Sequence, residues 1–354
     1  MNQKRIKLYG FCGNYSGWCL STYRVMLALE LKGWEVFVEP LWWRFMDNGD
    51  AGKVEEYFKR HVVGEGEHPD LPKMVLMSPY EPRFSKYVQG AIAFTMWEST
   101  RIPKRIANQL NRAQSIIVPS EWNIHLFSAS GVNAPMYRVP YGVDTSVFKP
   151  VERKRNNNFV YLAGGRGECG GFRKNLDMVV NAFEQLNGNC PNTELWIKSF
   201  PDEDVDNRGN PKIKVIRDFL TEEELANLYA KADCFISLSS SEGWGWMPHE
   251  AMAVGRPCIA PRFSGMSDYF DDYVGYCVDY DCVRSKGIYD DFAHGSVWAQ
   301  PRMESVIEEM YRAVEDDTLW KLKSKRSTAR AQSLNAVEYA NNLDRALTDI
   351  LEKN

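Results

Sequence analysis

The sequence of 354 residues lacks several features that would place it in a special class of protein. It has no apolar run of about 18 or more residues, which a membrane-spanning helix would need. Its five histidines and eight cysteines include no C-x-x-C pair and no spacing that suits zinc. We therefore expect no metal site from these residues, and we interpret the cysteines as reduced and mostly buried thiols.

The chain also lacks a strong net charge and a motif for binding nucleoside triphosphates. The formal net charge of -4 disfavours a surface built to wrap nucleic acid, without excluding local basic patches. No G-x-x-x-x-G-K-[ST] segment is present, so a P-loop is not supported. The first residues, MNQKR, lead into a short predicted strand and not into the apolar segment of a signal peptide, so we expect a cytoplasmic protein without a transmembrane segment.

What the chain does contain is an alternation of short apolar runs with helix-period segments. This pattern predicts an α/β fold with parallel sheets, and the length fits two domains. We predict an N-terminal domain over 1–150, a C-terminal domain over 151–330, and a helix within 331–354 that crosses back to the N-terminal domain. The predicted strands are 6–9, 35–38, 91–95, 115–118, 136–139, 159–163, 194–198 and 214–216, and the predicted helices include 18–32, 175–186 and 335–351. Thr221 with Glu224 is predicted to form a capping box for a further helix that reaches Lys231.

The first chemical cluster is the segment EGWGWMPHE at positions 242–250, which follows an apolar run. Gly243 and Gly245 let main-chain N–H groups approach a ligand closely. A helix predicted to begin here presents its N-terminus to the turn, and its dipole favours phosphate there. Glu242 and Glu250 can then border one cleft and accept hydrogen bonds from a sugar and a ribose diol. The alternative is a solvated loop acid and an ordinary first-turn acid.

The second cluster is AGGRGECGGFRKN at positions 163–175, which follows a predicted strand and contains three cations. Arginine can hold phosphate oxygens through its planar fork, and lysine acts as a mobile point charge. Arg166, Arg173 and Lys174 could together stabilise a departing diphosphate, an effect that grows where water is excluded. The alternative is a flexible basic loop at the surface.

The same segment supports a different reaction class. Residues 165–170 satisfy G-x-G-x-x-G after a strand, so a nicotinamide- or flavin-dependent oxidoreductase is an alternative. Such a site needs an acid about 20 residues onward, at the end of the next strand. Here the next strand is predicted to end near Lys198 and Asp202 comes later, so the register is poor.

Two further signals have ordinary explanations. The acidic stretch 202–206 contains an Asp-x-Asp that could hold a divalent ion on a nucleotide sugar, but its polar surroundings favour a solvated turn. The tryptophans at 42, 43, 244 and 246 could stack on sugars or a base, although packing in a core is the usual role of tryptophan.

Taken together, four segments resemble glycosyltransferase family 4, the "group 1" glycosyl transferases, in this order along the chain. VPSEW (118–122) is similar to the family's segment that leads to its interdomain turn, and PYGVD (140–144) is similar to the turn itself. Gly165-Arg166 with Lys174-Asn175 is similar to the family's donor-phosphate cations. The segment 242–250 is similar to its E-x7-E motif. The resemblance covers most of residues 90–330. It implies the GT-B fold, in which two Rossmann-like doubly wound parallel-sheet domains face each other across a cleft.

The resemblance also implies roles for individual residues. The expected catalytic residues are Arg166, Lys174, Glu242 and Glu98, the last in a region where the family handles its acceptor. The expected donor-binding residues are Gly17, Arg173, Phe219, Leu220, Gly243, Trp244, Gly245, Trp246 and Glu250. The sequence departs from the family pattern at two places. Residues 246–249 are not the usual aliphatic residues, and the glycine-rich loop 167–172 contains unusually many glycines. These departures bear on the sugar pocket and the diphosphate site.

The implied reaction is transfer of a sugar with retention of configuration and without a metal ion or other cofactor. The donor would be a UDP-, GDP- or ADP-sugar, and the acceptor a glycan, lipid, protein or small molecule; a nucleic acid is disfavoured but not excluded. A nucleotide-sugar epimerase or a binding protein on the same fold is the remaining alternative.

Overall fold

The computed structural model describes residues 4–14, 16–46, 51–153, 158–165, 173–201, 205–286 and 295–353. The chain forms two compact units. Unit 1 comprises Met1–Trp97, Arg101–Gly142 and Asn335–Asn354, and unit 2 comprises Glu98–Thr100 and Val143–Leu334. Within the described ranges, no helix is both long and apolar enough to cross a membrane.

Strands and helices alternate along both units. The strands are β1 Arg5–Gly13, β2 Glu35–Arg44, β3 Lys73–Leu76, β4 Ile92–Phe94, β5 Ser115–Val118, β6 Met136–Arg138, β7 Phe159–Gly164, β8 Thr193–Lys198, β9 Ile213–Ile216, β10 Cys234–Ile236, β11 Cys258–Pro261, β12 Tyr276–Val278, β13 Tyr280–Arg284 and β14 Val297–Pro301. The α-helices are α1 Gly17–Leu31, α2 Ala51–Lys59, α3 Phe84–Tyr87, α4 Lys104–Leu110, α5 Glu121–Ala129, α6 Leu176–Asn187, α7 Glu222–Lys231, α8 Trp246–Ala253, α9 Met303–Glu315, α10 Asp317–Ser333 and α11 Ala336–Glu352.

Unit 1 contains a six-stranded parallel sheet in the order β2-β1-β3-β4-β5-β6. Strand β1 is longer than predicted, because the sequence suggested a loop from Gly10 onward. The structure continues the pairing with β2 as far as Gly13 opposite Arg44, with a register shift between Gly10 and Phe11. Main-chain pairing with a neighbouring strand therefore extends β1 through residues whose composition suggests a loop.

Unit 2 contains a second six-stranded parallel sheet, in the order β12-β11-β10-β7-β8-β9. The chain runs outward from β7 through β8 to β9 and then returns to the other side of β7 at β10. The strand order thus reverses between β7 and β10, which is the position where open α/β sheets bind ligands at the carboxyl ends of their strands. The antiparallel pair β13–β14 was not predicted.

The central strands of unit 2 are continuous apolar runs because they lie in the core of that unit. Residues Phe159–Ala163 of β7 are all buried, as expected for a parallel strand covered on both faces. Helices α6 and α9 supply apolar side chains such as Phe183 and Met310 to the same core. The expected α/β architecture with two parallel sheets is confirmed.

Local chemistry sets several helix ends. Thr221 and Glu224 form the predicted capping box at the start of α7. Helix α8 ends at Ala253, and Gly255, two residues beyond it, has a φ of +91°. The N–H of Gly255 donates to the carbonyl of Met252 at 3.0 Å, and that of Arg256 donates to Ala251 at 2.8 Å. This pair of bonds is the Schellman arrangement, which glycine favours because it has no Cβ.

The C-terminal helix α11 belongs to unit 1. The Asn335 side chain caps it by accepting from the N–H groups of Val337 and Glu338, each at 2.9 Å. Its buried face includes Leu343 and Leu347, and it packs against α1. The structure therefore places the predicted C-terminal helix with the first half of the chain.

Candidate active site

The candidate site lies in unit 2, where the strand order reverses. Three neighbouring parallel strands, β11, β10 and β7, end at the same edge of the sheet. The segments that leave β7 and β10 lead to α6 and α8, and the segment after β11 contains a short 3₁₀ helix, Ser264–Asp268. Both predicted chemical clusters lie on the first two of these segments.

Hydrogen bonds join the segments that follow β7 and β10. The carbonyl of Arg173 accepts from the Ser240 N–H at 2.7 Å. The side-chain amide of Asn175 donates to the Leu238 carbonyl at 2.8 Å and to Ser240 Oγ at 2.9 Å. Arg173 Nη1 also donates to the Ser241 carbonyl at 2.6 Å. These bonds fix the cations of one segment beside the acid of the other.

Two cations meet one carboxylate at this junction. Lys174 Nζ contacts Glu242 Oε1, and Arg173 Nη1 lies 3.1 Å from Glu242 Oε2. The Glu242 side chain is only 9% exposed. Burial alone would raise the pKa of Glu242, but the charges of Lys174 and Arg173 outweigh it and hold that pKa below its ordinary value of 4.5. The structure thus brings these three predicted site residues together as an ionised cluster.

Glu98 joins the same cluster. Its Oε1 lies 3.4 Å from Arg173 Nη1 and accepts from the Gly243 N–H at 3.4 Å. The short stretch Glu98–Thr100 is held on unit 2 because Thr100 exchanges hydrogen bonds with the backbone of Val297 at 2.9 and 3.3 Å. A residue far away in the sequence therefore supplies a second carboxylate next to Arg173.

The segment after β11 supports the backbone of Glu242, a contribution that the sequence reasoning missed. Ser264 Oγ accepts from the Glu242 N–H at 2.8 Å, and the Gly265 N–H donates to the Glu242 carbonyl at 2.9 Å. A Cβ on Gly265 would lie 2.0 Å from the Gly243 carbonyl oxygen, so only glycine fits. The apolar run 258–261 could have revealed this support. Neighbouring strands of a parallel sheet end at the same edge, so the residues that follow this run lie beside those that follow the preceding strand.

The glycine turn before α8 has the expected helix N-terminus beside it. Gly245 is the N-cap residue and has a φ of +94°, a conformation that glycine adopts readily. Gly243, by contrast, does not lie in the left-handed region. Trp246 begins the helix and is half-buried, whereas Trp244 is buried.

Glu250 lies inside α8 and is 2% exposed. Its Oε2 accepts from the Tyr229 hydroxyl of α7 at 3.1 Å. Phe219 and Leu220, half-buried, precede α7, and the Phe219 ring lies 5.7 Å from that of Phe200. Helix α7 thus links Phe219 and Leu220, which are expected to bind the donor, to Glu250.

Two further predicted site residues are not among the described residues of unit 2. Gly17 is the exposed first residue of α1, in unit 1. Arg166 lies outside the described residues, as do the glycine-rich loop 167–172 and residues 202–204 of the acidic stretch 202–206. In the described part of the chain, no group of three or more histidine, cysteine, aspartate or glutamate side chains could hold a metal ion.

The strand next to β7 bears on the oxidoreductase alternative. A dinucleotide site needs a carboxylate at the end of the second strand, to hold the ribose. Strand β8 ends at Lys198, a cation that is 7% exposed. The charge at this position is opposite to the one that a dinucleotide ribose requires.

The known family and sequences that this chain resembles are those of glycosyltransferases. Residues 148–284 match the family model described as glycosyl transferases group 1. A putative glycosyltransferase from Sulfolobus islandicus filamentous virus is 31% identical over 175 residues, covering 49% of this chain and 46% of the viral protein. The chain thus spans about half the length of the curated relatives it matches.

Solved structures show the same architecture over nearly the whole chain. The sucrose-phosphate synthase of Thermosynechococcus elongatus superposes with a TM-score of 0.71 at 15% identity, covering 99% of this chain and 100% of the other. Anabaena HepE, solved in complex with UDP and glucose, gives a TM-score of 0.69 at 13% identity, covering 98% and 100%. The fold of this chain is that of GT-B glycosyltransferases.

Proposed function

We propose that this protein is a retaining glycosyltransferase of family 4 that moves a sugar from a nucleotide diphosphate sugar to an acceptor hydroxyl without a metal ion. The observation that carries the proposal is the cluster of Lys174, Arg173 and Glu242 at the point where the strand order of unit 2 reverses. The match of residues 148–284 to glycosyl transferases group 1 supports it, and so does the likeness to a structure containing UDP and glucose.

The charges of the cluster suit a departing diphosphate. As the bond between sugar and diphosphate breaks, negative charge grows on the leaving phosphate oxygens, and cations held in place stabilise it without reorganisation. Lys174 and Arg173 are 20% and 13% exposed, so water screens them only in part. Arg166 is proposed to add a third cation.

The carboxylates are proposed to orient the donor. Glu242 would accept from hydroxyls of the transferred sugar, and Glu250 from the ribose diol. Backbone N–H groups of the 243–246 turn would bind sugar and phosphate at the N-terminus of α8. In the proposed same-face transfer, the leaving diphosphate takes the proton of the acceptor hydroxyl while the new glycosidic bond forms.

The proposal is tested by incubating the protein with UDP-, GDP- and ADP-sugars and measuring the release of free nucleoside diphosphate. We expect release with one nucleotide class, stimulated by an extract that contains the acceptor. Failure of every nucleotide sugar to bind would overturn the proposal. Conversion of the donor to a different nucleotide sugar would identify an epimerase instead.

The ribose contact has a separate test. Glu250→Gln keeps the size of the side chain and removes its charge, so we expect weaker binding of free nucleotide and a smaller effect on the thermal unfolding midpoint. Tyr229→Phe is the matched control, because it removes one hydrogen-bond donor to Glu250 and leaves the charge of Glu250 in place. Equal loss of nucleotide affinity in both variants would argue for a structural role of Glu250.

A copurified nicotinamide or flavin, detected by absorbance or fluorescence, would favour an oxidoreductase. The comparisons do not favour that alternative, and Lys198 at the end of β8 argues against it.

A further inference from the structure

Beneath the turn before α8 lies a buried set of three rings, Trp244, His249 and Tyr269, which we name the ring cluster. The three residues are 2%, 0% and 0% exposed. The ring centroids lie 4.8 Å apart for Trp244 and Tyr269, 5.2 Å for His249 and Tyr269, and 5.6 Å for Trp244 and His249. The cluster thus occupies the protein interior directly below the segment proposed to bind the donor.

One hydrogen bond in the cluster defines the chemical state of the histidine. Trp244 Nε1 lies 3.1 Å from His249 Nδ1. An indole nitrogen can only donate, so Nδ1 must accept and carry no proton. The His249 ring is therefore neutral with its proton on Nε2.

The third ring acts on the main chain of the turn. Tyr269 Oη lies 3.0 Å from the Trp244 carbonyl oxygen and 2.8 Å from that of Gly245, and its single proton can be donated to either. A Cβ on Gly245 would lie 2.8 Å from the same hydroxyl. Tyr269 therefore holds the backbone at Trp244 and Gly245, while His249 holds the side chain of Trp244.

We propose that His249 is a positioning residue for the donor-binding turn. By accepting from the Trp244 indole, Nδ1 fixes the side chain at the centre of the turn, and together with Tyr269 it fixes the orientation of the peptide groups at 243–245. These peptides carry the N–H groups that the donor would use. The inference rests on the proposed function and adds to it a residue that does not itself touch the donor.

The test compares two substitutions of the histidine. His249→Leu removes the acceptor and leaves a buried indole N–H without this partner, so we expect the KM for the nucleotide sugar to rise roughly tenfold with a smaller change in kcat. His249→Asn keeps an acceptor oxygen near the position of Nδ1, and we expect the KM to return to within about threefold of the original value. An Asn variant no better than the Leu variant would overturn the inference.

A second substitution covers the case in which His249→Leu does not fold. Trp244→Phe removes the donor of the same hydrogen bond and keeps an aromatic ring, and we expect a similar rise in KM. The double variant of Trp244→Phe with His249→Asn should be no worse than Trp244→Phe alone, because the bond is already lost. A KM for Trp244→Phe equal to that of the unsubstituted protein would contradict the proposal.

A readout independent of activity examines the tautomer. Nitrogen-15 NMR of the histidine ring should show the proton of His249 on Nε2, with His249→Asn identifying the signal. A proton on Nδ1 overturns the inference whatever the activity. If His249→Leu binds nucleotide with unchanged affinity, the inference fails and the proposed function stands. If the unsubstituted protein binds no nucleotide, the proposed function fails as well.

Discussion

Helices α1 and α8 begin in similar sequence settings but in different local environments. Each follows a parallel strand and begins at or next to a glycine, Gly17 in unit 1 and Gly245 in unit 2. Helix α1 has its own cap, because Ser16 Oγ accepts from the Cys19 N–H at 3.4 Å. In the described structure, no side chain caps α8. The comparison shows that α8 has the helix N-terminus better suited to receive an anionic ligand.

The segments before the two helices differ as well. Before α1, the main chain of β1 pairs with β2 as far as Gly13. Before α8, β10 ends at Ile236, and the following residues bond to Arg173, Asn175 and Ser264 from two other segments. Sheet pairing therefore continues in unit 1, whereas in unit 2 side chains of opposite charge converge on the turn.

The largest expected effect is on the charged cluster. We expect Lys174→Ala to lower turnover by roughly 10²- to 10³-fold, the range for loss of one preorganised charge stabiliser. Lys59→Ala in α2 is the control, because Lys59 is an exposed lysine paired with Glu55 and Glu56. Turnover is measured as nucleoside diphosphate released per enzyme, and near-normal turnover for Lys174→Ala would refute the assignment.

The two glycines test the comparison of helix starts directly. Gly245→Ala places a Cβ 2.8 Å from Tyr269 Oη at a φ of +94°, and we expect a loss of about 1–3 kcal/mol in the free energy of unfolding. For Gly17→Ala, no atom lies within 4 Å of the added Cβ, so we expect no loss or a gain of up to about 1 kcal/mol. Denaturant unfolding measures both, and equal losses would remove the distinction between the two turns.

The pH dependence of stability tests the ionised state of Glu242. Because Lys174 and Arg173 hold its folded-state pKa below 4.5, its ionised form contributes stability that is present above about pH 4.5 and is lost as the pH falls towards about 2. We expect Glu242→Gln to lose that contribution. Unfolding midpoints measured from pH 7 to pH 2.5 should therefore converge for the two proteins in acid, and a constant difference would show that the charge is not responsible.

The smallest expected effect is on the cap of α1. Ser16→Ala removes the acceptor for the Cys19 N–H, and we expect a loss of about 1 kcal/mol in the free energy of unfolding. Nucleotide affinity should change far less than in Lys174→Ala, which isothermal titration can measure. A large loss of nucleotide affinity would show that the start of α1 also belongs to the donor site.

The sequence predicted elements best where one local rule decided the outcome. The run 115–118 forms β5, and the Thr221–Glu224 capping box begins α7, because apolar pattern and capping chemistry act over a few residues. Strand β1 was predicted too short, because its end depends on pairing with β2. The pair β13–β14 was missed, since β13 is largely exposed and its residues give a weak apolar pattern.

For the candidate site, the sequence identified the charged residues but not their supports. Lys174 and Glu242 stood out because each lies in a glycine-bearing segment after an apolar run. Ser264 and Gly265, which hold the backbone of Glu242, lie in a segment of ordinary composition. Tyr269 likewise reads as one more aromatic residue, and only its contact with the turn distinguishes it.

The sequence by itself determined the alternation of strands and helices, and with it the parallel sheets, because those follow from apolar periodicity and local capping. It also determined which residue types stand after each strand. Only the tertiary structure decided that β7 and β10 are neighbours and that Glu98 reaches Arg173. The physical reason is that strand order and long-range ion pairs depend on how distant segments pack, and no short stretch of sequence encodes that packing.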